Sequence, residues 1–311
     1  MGTSSITHLG VIIVSWNVKE LLDACLLSLR EDISKTSQVA ATVWVIDNAS
    51  HDGTADMVCS RHPWVNLETS LENLGFVRGN NWIIERLLQT SAPDYLWLLN
   101  PDTVIQPGAL AILLDFMNAH PRAGLSGPQL LNPDGSHQPG AFRFPDVWQP
   151  LFDFGWLPQR FYYTRWNGRY PAQAYARQQP FRIDHPLGAA MLARTAAVQQ
   201  VGLLDEGFFM YCEEIDWAWR MRKAGWEAWL VPEAQVIHVG GASTGQARAE
   251  TTAYLWESRA RLYRKHRGRL TRALAGFVVQ RAFSAMMEKA ESPAWEQAYR
   301  RIMRAWQNEK E

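Results

Sequence analysis

Three carboxylates occupy four consecutive positions, at Glu213, Glu214 and Asp216, just before a segment with helical spacing of apolar residues. Carboxylates held this close raise one another's proton affinity, so one of them can serve as a general base. The same residues would also suit an acidic first helical turn, because the helix dipole stabilises negative side chains there. The pattern predicts either a proton-accepting site or the start of a helix.

A second polar group, Asn100-Pro101-Asp102, follows the most apolar predicted strand. A carboxylate at a strand end can ligate Mg²⁺ or Mn²⁺, since these hard cations prefer oxygen and keep several waters. His238, after another apolar segment, has the chemistry of a metal ligand or of a hydrogen-bonded core histidine. Because Asn-Pro-Asp also favours turns, a metal site and a plain turn both fit the pattern.

Two loops have residues suited to a nucleotide. The loop 47–53 begins with Asp47, whose carboxylate can accept hydrogen bonds from a base imide or ribose hydroxyls, although the loop also fits an Asx turn. The segment 73–81 combines two glycines, Arg78 and three amides before a predicted helix. Glycine permits close approach to a ligand, and Arg78 with the helix N-terminus can face a phosphate. A capped helix with a surface arginine is the alternative.

Alternating strand and helix patterns position these groups. The predicted strands are 9–15, 42–46, 66–70 and 95–99, and the predicted helices are 18–30, 54–61 and 79–89. This rhythm predicts a parallel sheet with helices on both faces, whose ligands lie beyond the carboxyl ends of the strands. Asn17, Asp47 and Asp102 each follow such a strand. No GxGxxG motif follows the first strand and no Walker lysine motif occurs, which argues against a dinucleotide dehydrogenase and a P-loop ATPase.

The remainder of the chain has two distinct patterns. Residues 133–185 are rich in Pro, Gly, aromatic and Arg residues, which predicts a long irregular excursion over the site. From residue 250 the pattern is helical, so we predict a domain over 1–250 and a helical extension over 251–311. The stretch 259–281 holds eight Arg or Lys residues and no acidic one, among apolar residues. It predicts a helix on an anionic membrane or one packed on this chain or on a homodimer partner.

Bulk composition narrows the class. The 311 residues carry 31 basic and 31 acidic side chains, so no chain-wide basic field for nucleic acid exists. Three scattered cysteines without CxxC spacing fit neither a disulfide framework nor a zinc cage. The N-terminus lacks a basic region before its apolar run, and no apolar stretch reaches ~18 residues. We expect a cytoplasmic protein, peripheral at the inner face of the cell membrane if the basic stretch binds lipid.

Taken together, the motifs resemble those of the family 2 glycosyltransferases with the GT-A fold, and most closely their rhamnosyltransferase-like bacterial branch. The matching pieces are VIIVSWN, VIDNASHDGT, ENLGFVRGNN, YLWLLNPD, GAAMLARTAAVQQVGLLDEGFFMYCEEIDWAWRMRKAGW and VIHVGG. The resemblance implies an α/β, Rossmann-like, mostly parallel central sheet flanked by helices, with a C-terminal helical extension. It also implies a nucleotide-sugar half at 1–105 and an acceptor and base half at 106–250.

The resemblance further implies how the donor is bound. Asp47 would contact the nucleotide base, with Ser15 and Asn17 lining the same pocket. Gly188 and Ala189 would lie on a strand beneath the donor sugar. The implied ribose and diphosphate contacts are Asn73, Gly75 and Arg78.

A metal site is implied at the position of the family's DxD-type motif. Asn100 replaces the first aspartate there, so Asp102 would hold Mn²⁺ or Mg²⁺ largely alone on that loop. His238 matches a C-terminal histidine that can complete the metal shell.

The catalytic base is implied at Glu214, where the family usually carries aspartate, with Glu213 or Asp216 as fallback. The implied reaction is a single inverting displacement. Glu214 removes the proton of an acceptor hydroxyl, which attacks the anomeric carbon, while the metal and Arg78 stabilise the departing nucleoside diphosphate. The expected donor is dTDP-L-rhamnose, with UDP-hexoses as the alternative. The expected acceptor is a glycan or lipid-linked glycan of bacterial cell-surface polysaccharide.

Three other functions fit parts of this pattern. A sugar-nucleotide pyrophosphorylase would need a glycine-rich basic loop after the first strand, which VSWNVKELL lacks. A glycosidase can use paired carboxylates but needs no nucleotide pocket. A catalytically inactive nucleotide-sugar-binding protein is disfavoured because Asp102, Glu214 and His238 occur together.

Overall fold

The computed structural model describes residues 6–162, 164–240 and 248–307. Gly241, the last residue of the VIHVGG motif, lies outside these ranges. The strands are β1 (Thr7–Ser15), β2 (Val39–Asp47), β3 (Asn66–Thr69), β4 (Tyr95–Leu99), β5 (Thr103–Ile105), β6 (Ala123–Leu131), β7 (His137–Gln138), β8 (Ala141–Phe142), β9 (Phe181–Ile183), β10 (His185–Pro186), β11 (Ala190–Arg194) and β12 (Glu227–His238). The helices are α1 (Lys19–Lys35), α2 (Thr54–Arg61), α3 (Gly75–Thr90), α4 (Ala109–Ala119), α5 (Trp148–Asp153), α6 (Ala172–Ala176), α7 (Thr195–Val201), α8 (Glu213–Lys223), α9 (Arg248–His266), α10 (Arg269–Met287) and α11 (Pro293–Gln307).

One central sheet organises the molecule, in the order β3-β2-β1-β4-β11-β6-β12-β5, with β7 and β9 paired to its edge. Strands β1 to β4 pair in parallel, and β12 runs parallel to β6. β11 runs antiparallel to both β4 and β6, and β5 is antiparallel to β12. The predicted mostly parallel sheet is confirmed, and the reversed β11 brings its first residues to the edge where β1, β2, β4 and β12 end.

Helices cover both faces of the sheet, as predicted. Along β1, Val11 and Ile13 belong to one buried cluster and Ile12 to the other, because side chains of a strand alternate between faces. Helices α1, α2 and α4 cover the first face. Helices α3, α7 and α8 cover the second, where Trp217 of α8 is fully buried. Strands buried on both faces explain the continuous apolar runs in the sequence.

The predicted excursion contains only short elements between β6 and β11, two of which, β8 and β10, form a separate two-stranded sheet. Its small core packs Tyr175 against Ile183 and Leu230. Burial against these neighbours and the short strand pairings of β7, β8 and β9 hold this segment in place.

The C-terminal helices form a bundle around their own core, which includes Trp256, Phe283 and Ile302. α9 also packs on the part of the chain that contains the central sheet, since Leu262 belongs to the core beneath α3 and α8. The predicted division at residue 250 therefore falls inside α9, whose helix begins at Arg248. Within the described residues, no helix is both long and apolar enough to cross a membrane.

Candidate active site

A cavity of about 680 Å³, here called the main cavity, opens at the carboxyl edge of the sheet. This volume falls in the range of roughly 300–1,000 Å³ that is typical of small-molecule sites. The loops after β1, β2 and β4, the turn before β11 and the start of α8 all contribute to it. Its lining residues are Val14, Ser15, Trp16, Asn48, Asn73, Gly75, Phe76, Asn100, Pro101, Asp102, Leu187, Gly188, Ala189, Phe209, Met210, Tyr211, Glu213, Glu214, His238, Glu250, Thr251 and Tyr254.

Asp102 and His238 come together in this cavity from distant parts of the chain. Nε2 of His238 lies 3.4 Å from Oδ1 of Asp102, and Nδ2 of Asn100 lies 3.5 Å from the same ring nitrogen. The backbone N–H of Gly240 donates to the other carboxylate oxygen of Asp102 at 3.0 Å. The pairing of β12 with β5 holds the two loops in register, because His238 lies opposite Thr103.

Gln138 determines which nitrogen of His238 faces the cavity. Its amide nitrogen lies 3.0 Å from Oδ1 of Asn132 and 3.1 Å from the carbonyl of His238, so it donates to two oxygens. Its amide oxygen therefore faces Nδ1 of His238, at 2.8 Å, and accepts a hydrogen bond from it. With the proton on Nδ1, the lone pair of Nε2 is directed toward Asp102. This is how metal-binding histidines are usually oriented by a second residue.

The ligand atoms of Asp102 and His238 suit a divalent cation whose remaining ligands come from water and a bound phosphate group. One carboxylate oxygen and one imidazole nitrogen converge at the cavity wall. Across the described residues, no cluster of three or more His, Cys, Asp or Glu side chains suits a metal. Mg²⁺ and Mn²⁺ commonly take one or two protein ligands and complete their shells with water and phosphate oxygens.

Glu213 and Glu214 are the first two residues of α8, and a strained turn presents them to the cavity. Tyr211 and Cys212 before them both have left-handed backbone, with φ of 67° and 66°. Two successive residues with side chains in this region cost free energy that packing must offset, a feature that clusters at functional sites. Both glutamates are more than nine-tenths buried.

The two glutamates differ in how firmly they keep a proton. Burial raises the pKa of Glu214 from its ordinary 4.5 to about 7, with hydrogen bonds from backbone N–H groups at the helix start acting in the opposite direction. Burial and the adjacent charge of Glu214 raise the pKa of Glu213 well above its ordinary value. One carboxylate oxygen of each residue has no hydrogen-bond partner among the described residues. Glu213 therefore keeps its proton more firmly than an ordinary glutamate, whereas Glu214 is poised to exchange a proton near pH 7.

Asp216 points to a different environment. Its carboxylate is fully buried and pairs with Arg220 at 2.8 Å, Lys265 at 2.8 Å and His266 at 2.7 Å. Its hydrogen bonds to His266, Lys265 and Arg220 together outweigh burial and hold the pKa of this carboxyl well below its ordinary value. Asp216 does not line the main cavity, and the structure uses it to join α8 to α9.

Three buried polar atoms mark the ends of β1 and β2. Ser15 and Asp47 lie side by side in the parallel pairing, and Asn48 follows Asp47. Oγ of Ser15, Oδ1 of Asp47 and Oδ1 of Asn48 have no hydrogen-bond partner among the described residues. Because unpaired buried polar atoms are rare, these atoms are candidate contacts for a ligand. Asn48 also donates to the carbonyl of Gly75 at 3.2 Å.

The remaining predicted donor residues separate into two groups. Asn73, Gly75, Asn100, Gly188 and Ala189 line the main cavity, although Gly188 and Ala189 form the turn before β11 and not the strand itself.

Asp47, Asn17 and Arg78 are outside the lining. Asn17 braces the loop after β2, where its Oδ1 accepts from the backbone of His51 at 2.8 Å. Arg78 is 55% exposed and lies 3.8 Å from Glu72.

Several residues that line the main cavity were not predicted from the sequence. The aromatic run before α8 and Phe76 supply apolar walls, but aromatic residues are equally common in cores. Tyr254 reaches the cavity from α9, where its ring packs 4.7 Å from that of Phe209 and its hydroxyl donates to Glu250 at 2.8 Å. Nothing in the sequence indicated this contact, because it depends on how the C-terminal helices dock.

A mixed α/β sheet with a cavity at its carboxyl edge, where Asp102, His238 and two buried glutamates meet, fits a glycosyltransferase of the GT-A class. The chain belongs to the family described as "Glycosyltransferase like family 2", whose profile matches residues 7–268. It is 32% identical over 256 residues to N-acetylglucosaminyl-diphospho-decaprenol L-rhamnosyltransferase of Mycobacterium tuberculosis. The alignment covers 79% of this chain and 80% of that relative. The resemblance found in the sequence is therefore confirmed.

Solved structures agree on the fold. GalNAc-T7 with UDP, GalNAc and Mn²⁺ superposes with a TM-score of 0.59 at 13% identity, covering 99% of this chain but only 57% of that one. Mannosyltransferase PcManGT from Pyrobaculum calidifontis, with GDP-Man and Mn²⁺, gives 0.55 at 13% identity, covering 96% and 83%. The shared architecture is the GT-A arrangement.

Proposed function

We propose that this chain transfers L-rhamnose from dTDP-L-rhamnose to a hydroxyl of a lipid-linked glycan, with inversion at the anomeric carbon. The observation that carries the proposal is Glu214, a buried carboxyl with a pKa of about 7, in the same cavity as the Asp102–His238 pair. The identity of the sugars is supported by the mycobacterial relative, whose name gives an N-acetylglucosaminyl-diphospho-decaprenol acceptor and L-rhamnose.

The residues of the main cavity divide the work of the reaction. Ser15 and Asn48 of the cavity wall, with Asp47 beside them but outside the lining, offer the nucleoside the unpaired polar atoms described above. Glu214 accepts the proton of the acceptor hydroxyl as that oxygen attacks the anomeric carbon, and Gly188 leaves room beside it. The raised pKa of Glu213 favours its neutral form, which limits the charge that would oppose ionisation of Glu214.

Asp102 and His238 would hold a divalent cation, with Gln138 fixing the tautomer of the imidazole. A bound cation supplies Lewis-acid stabilisation of charge on the departing diphosphate. The carboxylate oxygen of Asp102 suits either Mn²⁺ or Mg²⁺.

The test is a donor panel with a defined acceptor. Purified chain, MnCl₂ or MgCl₂, and a short-chain polyprenyl diphosphate carrying N-acetylglucosamine are incubated with dTDP-L-rhamnose or with UDP-hexoses. We expect a rhamnosylated lipid whose new linkage has the anomeric configuration opposite to that of the donor. If only UDP-hexoses serve as donors, dTDP-L-rhamnose is not the donor and a UDP-hexose takes its place. Tight donor binding without any product would favour an inactive binding protein.

We also propose that α10 docks the enzyme on an anionic membrane. Leu270, Leu274 and Phe277 are 75%, 47% and 69% exposed and lie on one side of the helix, where positions i, i+4 and i+7 coincide. Arg281 continues this stripe, and residues 258–287 include no acidic side chain. Exposed apolar groups beside cations are complementary to an anionic lipid surface.

The basic residues in the second half of α9 bind other parts of this chain and are not available to lipid. The predicted membrane stretch of 259–281 is therefore reduced to its residues in α10. Arg259 pairs with Asp153 at 2.6 Å, and Lys265 pairs with Asp205 at 2.7 Å. Arg264 donates to the carbonyl of Ala305 at 2.7 Å. These cations hold α9 on the catalytic part and against α11, so α10 is the helix proposed to face lipid.

Vesicle sedimentation tests this surface. The full chain should bind phosphatidylglycerol-containing vesicles at low salt, and Leu274→Glu with Phe277→Glu should weaken binding at least tenfold. Leu71→Glu, at another fully exposed leucine, is the matched control and should bind as the parent does. No sedimentation at low salt would contradict the proposal. A dimer in light scattering that the same α10 variants disrupt, without vesicle binding, would assign the face to a second copy instead.

A further inference from the structure

A second cavity, of about 670 Å³, lies beyond the far end of α8 and shares no lining residue with the main cavity. Trp219, Arg222 and Lys223 line it from the last two turns of α8, whereas Glu213 and Glu214 begin that helix. At 1.5 Å rise per residue, the two ends of α8 are roughly 15 Å apart. The predicted excursion, residues 133–185, forms the opposite wall. Its described residues contribute to the lining of the second cavity, and none of them lines the main cavity.

An exposed aromatic platform forms part of that wall. The rings of Trp148 and Trp166 stack with centroids 5.8 Å apart and planes 21° apart. They remain 43% and 50% exposed, an unusual state for two large apolar rings in contact. Flat indole faces at the mouth of a polar cavity suit the apolar face of a sugar ring, and exposed aromatic patches commonly mark binding grooves.

Two cations of the second cavity are already neutralised. Arg222 donates to Asp184 at 3.0 Å, and Arg267 lies 3.8 Å from Asp146. Their guanidinium groups also lie over aromatic rings, Arg222 over Phe144 at 5.4 Å. These pairs build a rigid wall and leave no net charge of their own.

Two further cations in the cavity have no carboxylate partner among the described residues. Arg143 lies over the ring of Tyr170 at 4.8 Å. Nζ of Lys223 is 3.5 Å from Nδ1 of His266, whose other nitrogen bonds Asp216. The cavity therefore has a net positive charge beside its aromatic platform, and an anion would satisfy both groups.

We propose that the second cavity binds an anionic saccharide, with Trp148 and Trp166 stacking on the sugar ring and Arg143 and Lys223 pairing with its negative group. The anion is a phosphate or a carboxylate on the sugar, since either matches two cationic donors. This site is separate from the transfer reaction, because none of these residues touches the main cavity. It gives the enzyme a second grip on a charged glycan.

Calorimetry on the full chain tests the proposal with defined probes. N-acetylglucosamine 1-phosphate and glucuronate are titrated beside neutral N-acetylglucosamine and inorganic phosphate. At least one charged sugar should bind ten times more tightly than either the neutral sugar or phosphate alone. The charged sugar that binds tells whether phosphate or carboxylate is the recognised group. Equal affinity for the neutral sugar, or no binding of either charged sugar at millimolar concentration, would overturn the proposal.

Variants locate the binding. Trp148→Ala with Trp166→Ala, and separately Arg143→Glu, should each weaken binding at least tenfold, while circular dichroism stays unchanged because all three side chains lie at the surface or cavity mouth. Asp102→Ala should bind the probe within twofold of the parent, even though transfer is lost. Binding that Asp102→Ala abolishes and the tryptophan variants spare would place the probe in the main cavity and refute a second site. Loss of transfer activity alone bears only on the proposed reaction.

Discussion

Nε2 of His238 lies 3.4 Å from Oδ1 of Asp102, which brings the last residue of β12 against the loop that follows β4. The two residues are far apart in the sequence. They come into contact because β5, which follows Asp102, pairs with β12. The lone pair that faces Asp102 is fixed by Gln138 on β7. The pair and its orienting amide give the first prediction.

Removing the carboxylate should abolish metal-dependent transfer without unfolding the chain. We expect Asp102→Ala to lower kcat at least 100-fold and EDTA to stop the parent enzyme, with Mn²⁺ or Mg²⁺ restoring it. Gln138→Leu should weaken the apparent metal affinity about 10- to 100-fold, because the imidazole loses its orienting partner. Titration of activity with metal measures both effects. Full activity in chelator would contradict a metal-dependent mechanism.

Activity should rise with pH through the pKa of Glu214. Since burial raises that pKa to about 7, the base is protonated and inactive below this value and ionised above it. The profile of kcat/KM should therefore climb tenfold per pH unit below about 7 and level off above it. Steady-state rates from pH 5 to 9 at saturating metal show the limb. A profile flat from pH 5.5 to 8 would be inconsistent with Glu214 as base.

The same shift should appear in stability. The folded state keeps a proton on Glu214 that the unfolded chain releases near pH 4.5, so this contribution is present below pH 4.5 and is lost as pH rises through about 7. Glu214→Gln keeps the neutral shape at every pH. Its melting temperature should exceed that of the parent by a few degrees at pH 8 and by less at pH 5. An equal difference at both pH values would mean that Glu214 titrates normally.

Asp216 should be important for stability and much less so for chemistry. Replacing it with Asn leaves Arg220 without its buried counter-charge, and breaking a buried ion pair typically costs ~3–5 kcal/mol. Because partners lower the pKa of Asp216, its stabilisation is present above the ordinary pKa of 3.8 and is lost as pH falls below it. Urea unfolding of Asp216→Asn at pH 7 and pH 3 should show a loss at pH 7 that shrinks at pH 3. A variant as stable as the parent at pH 7 would contradict the role of Asp216 in docking α9.

The fold and the strand-end residues were predictable because their signals are local. Asp47 and Asp102 follow buried apolar runs, and parallel strands bring such ends to one edge. The inward or outward direction of a helical residue is harder to predict. Arg78 was expected just before a helix that starts at residue 79, but α3 begins at Gly75, so Arg78 lies in its first turn and faces Glu72 in solvent.

Contacts between distant segments could not be predicted. The hydrogen bond between Gln138 and His238 joins residues 100 apart, and the placement of Tyr254 depends on docking of the C-terminal helices. Antiparallel insertion of β11 into a parallel sheet is also a long-range pairing, which no property of its five residues specifies. The resemblance placed the base at Glu214, with Glu213 or Asp216 as fallback. The burial and ion pairs that distinguish these three side chains depend on the packed structure.

Glu214→Gln and Glu213→Gln, compared in a single-turnover transfer assay with donor binding measured in parallel, test the central claim most directly. Glutamine keeps the size of each side chain and removes its basicity. We predict that Glu214→Gln slows transfer by ~10²–10⁴-fold while donor affinity stays within a few-fold. Glu213→Gln should slow it much less, because the raised pKa of Glu213 already favours its neutral form. Normal transfer by Glu214→Gln, with Glu213→Gln inactive and its donor still bound, would contradict the assignment of Glu214 as the catalytic base.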